Sequence, residues 1–137
     1  MIFTNGYFLW NAVVLSGHVR EIRLRTRITT VPDNDVMGTI AEKVVPVLEG
    51  YDLEVVFRQD FAASGPEQTL AVDHKGKVAR AWAARPDAGA ISTTNPEYQG
   101  TGIITEYEPI HGAFGEVLGT RAVIMPTVGG VTRDTTP

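Results

Sequence analysis

The sequence predicts a mostly β fold, an antiparallel β-sandwich or small barrel with one short flanking helix, in a single domain over residues 1–137. Three observations support this prediction. Aromatic and β-branched residues recur in short runs that Gly, Pro, Asn and Asp separate. Within the clearest runs, apolar and polar side chains alternate with the period of two that is typical of a half-buried strand. A chain of 137 residues also suits one hydrophobic core.

The first strands are predicted near the N-terminus. The segment YFLWNAVVLSGHV indicates two short strands that meet around Asn11 and Ala12. The next segment, HVREIRLRTRI, alternates clearly, with Ile22, Leu24 and Ile28 on one face. A helix would spread the arginines of this segment around its circumference, so a strand is the better interpretation. The polar face of the strand carries Glu21, Arg23, Arg25 and Arg27.

A long loop is predicted near residues 31–43, because this segment begins with many turn-forming residues. Its motif DNDVMG starts like a calcium-binding loop, with Asp33, Asp35 and Gly38 in suitable positions. The glutamate that such a loop needs at its twelfth position is absent, since Val44 stands there. A turn held by side-chain to backbone hydrogen bonds is therefore the better interpretation.

The segment YDLEVVFRQDF predicts a second alternating strand. Its apolar face consists of Tyr51, Leu53, Val55, Phe57 and Phe61. Its other face consists of Asp52, Glu54, Arg58 and Asp60, together with Val56. One face of this strand should therefore pack on the core and the other should be exposed.

A short helix is predicted in SGPEQTLAVDHKG, where Ser64 is a candidate N-cap, Pro66 suits the first turn and Gly76 is a candidate stop. Further strands are predicted in KVARAWAAR, GIITEYEPI and TRAVIMP. The C-terminal segment near residues 128–137 is small and polar, which predicts a flexible tail.

Composition narrows the classes of function that the chain could have. The net charge of -4 argues against a general nucleic-acid binder, which needs a basic surface. The absence of cysteine excludes disulfides, thiolate catalysis and thiolate metal sites. The apolar run YFLWNAVVL is much shorter than the ~20 residues of a membrane-spanning helix, and no basic region precedes it. We therefore expect a cytosolic product without a targeting signal and without a membrane partner.

No catalytic or metal site is indicated. The histidines His18, His74 and His111 have no ligand spacing, so we predict structural or surface roles for them. Glu106 and Glu108 share one strand face and have the residue type of an acid–base pair, but a solvated face is the simpler interpretation. The row of Arg23, Arg25 and Arg27 is the strongest charge feature. Contact with an acidic partner surface and an ordinary solvated face both remain open for it.

The order of several short motifs resembles a known family. These motifs are VVLSGHVREI, a turn containing VMG, FRQDFA before the helix, ISTTNPEYQG, EPIHGAFGEV and a final GVTR. Together they cover nearly the whole chain. In these motifs the chain resembles the major tail tube proteins of long-tailed, non-contractile bacteriophages with actinobacterial hosts.

The resemblance implies a structural function without catalytic residues, cofactor or metal. Subunits would join sheet to sheet into rings, usually hexamers, and stacked rings would form the hollow tail tube through which DNA passes. The implied partners are other copies of the chain, other tail and neck proteins, and the tape-measure protein. The implied location is the virion tail, after synthesis in the host cytoplasm. The motif ISTTNPEYQG would turn the chain into a strand at Pro96 and Gly100. The bend in EPIHGAFGEV would turn it out again at Pro109, Gly112 and Gly115.

Within such a tube, residues can be assigned to contact surfaces. The arginine row would face carboxylates at a subunit or ring contact. Three apolar residues of the long loop would also lie at a contact between subunits, namely Val36, Met37 and Ile40. A lumen that lets DNA slide should be acidic or neutral. Ile103, Thr105 and Tyr107 are expected to form the apolar row of their strand, opposite its acidic face. The residues predicted to face the lumen are Asp52, Glu54, Glu106 and Glu108.

Two other function classes stay open at this point. The first is a different virion part with a similar fold, such as a neck, tail-terminator or capsid-decoration protein. The second is a β-barrel that binds a small molecule, which would need a deep apolar cavity with converging polar groups.

Overall fold

The computed structural model describes residues 6–32, 44–62 and 65–136. Its strands are β1 (Tyr7–Trp10), β2 (Val13–Val14), β3 (Val19–Pro32), β4 (Val44–Arg58), β5 (Arg80–Arg85), β6 (Glu97–His111) and β7 (Gly119–Asp134). Between β4 and β5 lies the helix α1 (Pro66–Gly76). The strands form one antiparallel sheet in the order β2-β1-β5-β6-β7-β4-β3. The predicted mostly antiparallel β fold with a short flanking helix is confirmed.

The sheet curls so that its distant strands face each other. Phe8 on β1 and Phe57 on β4 are separated by three intervening strands, which is about 19 Å across a flat sheet with ~4.8 Å between strands. Their ring centroids nevertheless lie 5.7 Å apart, in an edge-to-face arrangement. The two halves of the sheet therefore enclose one core, as expected for a sandwich or small barrel.

The core is filled by large side chains from most of the strands. The alternation predicted for β4 is confirmed for Tyr51, Leu53, Val55 and Phe57, which are fully buried. Phe61, predicted to continue this row, lies beyond the end of β4 and is 54% exposed. The other members of the core cluster are Phe8, Trp10, Leu15, Leu70, Trp82, Ala84, Ile104, Ala122 and Ile124.

Buried polar groups of the core are paired. The Trp82 indole N–H donates to the Tyr51 hydroxyl at 2.8 Å, and that hydroxyl donates to the backbone carbonyl of Thr101 at 3.0 Å. The Trp10 indole N–H donates to the Asp73 carboxylate of α1 at 2.8 Å. These bonds tie the two halves of the sheet and the helix together, because an unpaired buried donor would be costly.

The turn between β1 and β2 matches the sequence prediction. Asn11 and Ala12 both have positive φ, 50° and 63°, as the tight primed turn of a two-residue hairpin requires.

At the other end of the sheet, β3 and β4 pair from Val19 to Pro32 of β3, whereas β4 pairs with β7 only from Leu53 onward. The outer parts of β3 and β4 thus form a two-stranded extension, residues 26–32 and 44–50, which we call the arm.

A β-bulge changes which residues of β6 point inward. The pairing of β6 with β7 shifts between Ile104 and Glu106, so that Thr105 is the extra residue. Ile104 is buried and Tyr107 reaches α1, whereas Ile103 is only partly buried. The predicted apolar row of Ile103, Thr105 and Tyr107 is therefore wrong, because strict alternation does not hold across a bulge.

The helix is confirmed with a different start. The N-cap is Gly65, which makes no side-chain cap hydrogen bond, and the predicted cap Ser64 lies outside the described residues. A Cβ on Gly65 would stand 2.5 Å from the Asp60 carbonyl oxygen, so the close approach of the chain requires glycine there. Leu70 anchors the helix on the core. The helix ends at Gly76, before Lys77 in the left-handed conformation.

Two expectations about the C-terminal half need correction. Gly100 does not turn the chain but lies inside β6, where a Cβ would be 2.9 Å from the Trp82 ring. The flexible tail expected near 128–137 lies largely inside β7, whose residues up to Asp134 pair with β6. The backbone of small polar residues can form hydrogen bonds in a β-ladder as well as with water in a flexible tail. Composition therefore did not distinguish a strand from a tail here. The predicted bend is confirmed where Gly112 and Gly115 have positive φ.

Candidate assembly surfaces

One outward surface of the sheet gathers most of the charged residues that the sequence singled out. The pairing of β3 with β4 places Arg23 beside Glu54 and Arg25 beside Asp52. We call this surface the charged face. Its members are Arg23, Arg25, Arg27, Asp52, Glu54, Glu106, Glu108 and Arg121.

Arg121, on β7, is the centre of the charged face. Its Nε–H donates to Glu54 of β4 at 3.0 Å, and its terminal nitrogen lies 3.4 Å from Glu106 and 3.9 Å from Glu108 of β6. The hydrogen bond from Arg121 lowers the pKa of Glu54 below its ordinary value. The same carboxylates raise the pKa of Arg121. Sequence reasoning missed Arg121, because nothing in TRAVIMP shows which carboxylates the neighbouring strands will bring to it.

The arginine row also finds carboxylates within the subunit. Arg27 donates to Asp52 at 3.0 Å, and Arg23 donates to Glu21 of its own strand at 3.3 Å. All three arginine side chains are on exposed residues of β3. Carboxylate partners of Arg23 and Arg27 are therefore present without a second copy of the chain.

The structure thus brings together two groups that the sequence assigned to different surfaces. Arg23, Arg25 and Arg27 were assigned to a subunit contact, and the four carboxylates to the lumen. One continuous face holds both, so it carries mixed charge and is not a purely acidic wall. The three apolar loop residues assigned to the contact, Val36, Met37 and Ile40, lie outside the described residues.

The outer strand β3 is a long free edge. Among the strands that the structure describes, it is the last of the sheet and pairs on one side only, with β4, along its 14 residues. In an antiparallel strand, alternate residues direct both their N–H and their C=O to the same side. About half of the backbone groups of β3 therefore point away from β4, ready to pair with another strand.

A second surface is the turn between β6 and β7, residues 112–118, which with Ile110 we call the hairpin tip. Phe114 is 109% exposed and Ile110 is 73% exposed. Sequence reasoning treated this turn only as a return of the chain to the sheet. An aromatic residue between the two glycines of HGAFG was the available signal that the turn presents a side chain.

The arm carries exposed apolar side chains on both of its faces. Leu48 is 65% exposed and pairs with Thr29, so it shares one face with Val31, which is 49% exposed. We call this Leu48 and Val31 face the third surface. Ile28 is 64% exposed and pairs with Glu49, so it lies on the opposite face. Ile28 was predicted to lie on the core side of its strand. Its side chain has no core to pack on, because β7 does not pair with this part of β4.

Two grooves of the described surface have one charged residue each in their lining. One open groove of about 650 Å³ includes Glu97 in its lining, and another of about 390 Å³ includes Arg85. These two charged residues lie 3.2 Å from each other. Among residues 6–32, 44–62 and 65–136, no group of three or more His, Asp or Glu side chains is placed to hold a metal ion. Within those ranges, no helix has the length and hydropathy needed to cross a membrane.

Among the chains of solved structures that match this fold, two come from gene transfer agent particles. A chain in the virion of a native gene transfer agent particle aligns with a TM-score of 0.72 at 11% identity, covering 94% of this chain and 95% of its own length. A chain in the tail of an empty gene transfer agent particle, determined with C6 symmetry, aligns with a TM-score of 0.61 at 14% identity, covering 88% and 83%. No protein-family model and no curated protein matches the sequence. At these identities the likeness establishes a shared fold.

Proposed function

We propose that this protein is a structural subunit of a phage-like tail, and that it assembles into rings that stack into a tube for the passage of DNA. Its role in this proposal is structural, not catalytic. The observation that carries the proposal is the edge of β3, whose 14 residues pair on one side only among the described strands. Such an edge is a template for pairing with another chain. In a ring, the next copy covers part of this edge.

The shared fold supports this role. Both structural neighbours are components of gene transfer agent particles, and one comes from a tail with six-fold symmetry. The edge of β3 and the opposite edge of the sheet are different surfaces, so a contact between them is heterologous and can close into a ring. Six copies per ring is the closure that we propose.

The charged face is our proposal for the surface that lines the channel. Its arginines are engaged by carboxylates of the same subunit, Arg121 by Glu54 and Arg27 by Asp52. A phosphate passing this face meets paired charges, and a mixed face attracts DNA far less than a basic one. We therefore place the arginine row on the channel face together with the four carboxylates, and no longer at a subunit contact.

Electron microscopy of the purified protein by negative stain tests the proposal. Long tubes with a central channel are expected. Single rings that never stack would instead favour a neck or tail-terminator role, and dispersed monomers at high concentration would overturn the proposal.

Proline substitutions test the edge itself. Of the neighbours Arg25 and Thr26, one directs its N–H toward β4 and the other outward. Proline removes that N–H, so R25P and T26P should differ. The variant that loses the outward N–H should keep its β-rich circular dichroism and fail to form rings. Normal rings from both folded variants would exclude pairing along this edge.

The segment that joins β3 to β4 is the remaining candidate contact. Deleting residues 33–40, which include Val36, Met37 and Ile40, is expected to leave a folded subunit that does not polymerise. Normal tubes from the deletion variant would remove this segment from the assembly.

A further inference from the structure

We propose that successive rings are held together by one repeated contact, in which the hairpin tip of one copy packs on the arm of a copy in the next ring. The occupant of the arm surface is thus a second copy of this chain. The inference rests on the proposed function and identifies the two surfaces that stacking would use.

The hairpin tip and the arm lie at opposite ends of the sheet. β6 ends at His111 and β7 begins at Gly119, on either side of the tip. Val19, the first residue of β3, is also at this end, because it pairs with Phe57, which pairs with Thr120. From there β3 runs 14 residues to the end of the arm, about 45 Å at ~3.3 Å per residue. A subunit cannot bring its own tip to its own arm, so the contact needs a second copy.

Both surfaces expose apolar side chains that a lone subunit leaves in water. Phe114 is 109% exposed at the tip, and Leu48 and Val31, which share one face of the arm, are 65% and 49% exposed. Single exposed apolar residues are common, but clusters at defined positions mark interaction sites. One such cluster lies at each end of the sheet along the strand direction, which suits head-to-tail stacking of subunits.

The tip presents Phe114 on an ordered turn. Gly112 and Gly115 have φ of 156° and 88°, which allows the chain to reverse around Phe114. The Glu116 backbone N–H donates to the Ala113 carbonyl at 3.0 Å, and the Glu116 carboxylate accepts from the Ala113 N–H at 3.1 Å. A preorganised turn loses little conformational entropy when it docks.

The size of the contact explains why rings would form before tubes. An aromatic side chain buries about 150–250 Å², whereas a stable interface between two proteins buries about 1,200–2,000 Å² in total. One tip on one arm is too small to hold two monomers together. A ring repeats the contact once for each subunit, so two rings bind through many linked contacts whose effects combine. Stray monomers therefore do not form filaments through this contact.

Truncation of Phe114 tests the contact. The variant F114S should form rings and lose tubes, with tube length in electron micrographs falling at least tenfold. Its fold should be intact, because Phe114 has no core contact to lose. V72S is the matched control, since Val72 is 69% exposed on α1, away from both surfaces. Tubes of normal length from F114S would overturn the proposed contact.

Cross-linking tests the partner surface directly, because the chain has no cysteine of its own. The double variant F114C/L48C should give a ladder of covalent dimers, trimers and longer chains when assembled protein is mildly oxidised. Each single-cysteine variant should stay monomeric on a denaturing gel. Dimers from F114C alone would show a contact between two tips, and absence of a ladder from assembled double variant would also overturn the proposal.

The outcomes separate this inference from the proposed function. Wild-type protein that forms no rings or tubes contradicts the proposed function. Tubes from wild type and from F114S alike contradict only the tip-to-arm contact. Loss of rings in folded F114S would place the tip in the lateral contact and overturn its axial assignment.

Discussion

Arg121 of β7 binds Glu54 of β4 through a 3.0 Å hydrogen bond while its other nitrogen reaches Glu106 of β6, so one guanidinium group connects three strands. The Arg121 side chain is 31% exposed and that of Glu54 is 27% exposed, so solvent screens this network only in part. The ion pairs of Arg121 on the charged face therefore form inside each subunit before any assembly takes place.

Removing Arg121 should destabilise the subunit and make its stability depend less on salt. We expect R121A to lower the free energy of unfolding by about 1 kcal/mol at low salt, since exposed ion pairs contribute at most about that much. The control is R23A, because the ion pair of Arg23 is with Glu21 of its own strand, at 3.3 Å, and the Arg23 side chain is 59% exposed. Urea unfolding of dispersed subunits at low and high salt measures both. Equal losses in the two variants would contradict the central role of Arg121.

The pH dependence of stability should show the same network. The hydrogen bond from Arg121 lowers the folded-state pKa of Glu54, so the stabilisation is complete above the unfolded pKa of ~4.3 and is lost as pH falls through the folded value. Wild type should therefore lose stability below about pH 5 more steeply than E54Q, which cannot titrate at this position. Urea midpoints from pH 7 to 3 give the comparison; parallel curves would contradict the prediction.

Tyr107 should titrate late. Burial and then its hydrogen bond to Glu67 of α1 raise the pKa of Tyr107 to about 12. Folding favours the neutral form of the Tyr107 hydroxyl. The contribution of Tyr107 to the free energy of unfolding is therefore complete below the unfolded pKa of ~10 and is lost as pH rises through the folded pKa. Ultraviolet difference titration of Y107F should lack the most alkaline tyrosine step of wild type. A curve for Y107F that keeps that step would assign it to another tyrosine.

Gly102 should tolerate no side chain. A Cβ at this position would lie 2.3 Å from the Met125 carbonyl oxygen and 2.9 Å from the Tyr51 hydroxyl. We expect G102A to cost about 1–3 kcal/mol of stability through overpacking. The control is G50A on β4, where a Cβ has no neighbour within 4 Å. Urea unfolding of the two variants measures the difference. A G102A variant as stable as G50A would show that the strands move apart to admit the methyl group at little cost in free energy of unfolding.

Reversal of the arginine row distinguishes its two possible locations. Changing all three arginines to Glu places new carboxylates beside Asp52 and Glu54 of the same subunit, so the isolated subunit should unfold at a lower temperature wherever the row lies in the assembly. High salt should recover part of this loss. If the row lies on the channel face, the variant should still assemble under conditions in which it is folded, whereas at a subunit contact the folded variant should fail to assemble.

Much of the fold could be predicted from local pattern. Alternation over β4 gave its buried row from Tyr51 to Phe57, and the positive φ at Asn11 and Ala12 follows from a two-residue hairpin turn. The helix followed from Pro66 and the stop at Gly76. These features depend on neighbours within a few residues, for which sequence carries the physical information.

The candidate surfaces depended on contacts between residues distant in the sequence, and only the tertiary structure decided them. Arg121 meets Glu54 across 67 positions of sequence, and the bulge at Thr105 shifts the inward row of β6 to Ile104 and Tyr107. The side chain of Ile28 stays exposed because β7 leaves β4 before the arm. By itself the sequence determined a mostly antiparallel β fold with one short helix and polar outer strand faces, because period-two burial is local. Strand order and register, which set which charges share a face and which edge stays free, arise from packing of the whole chain.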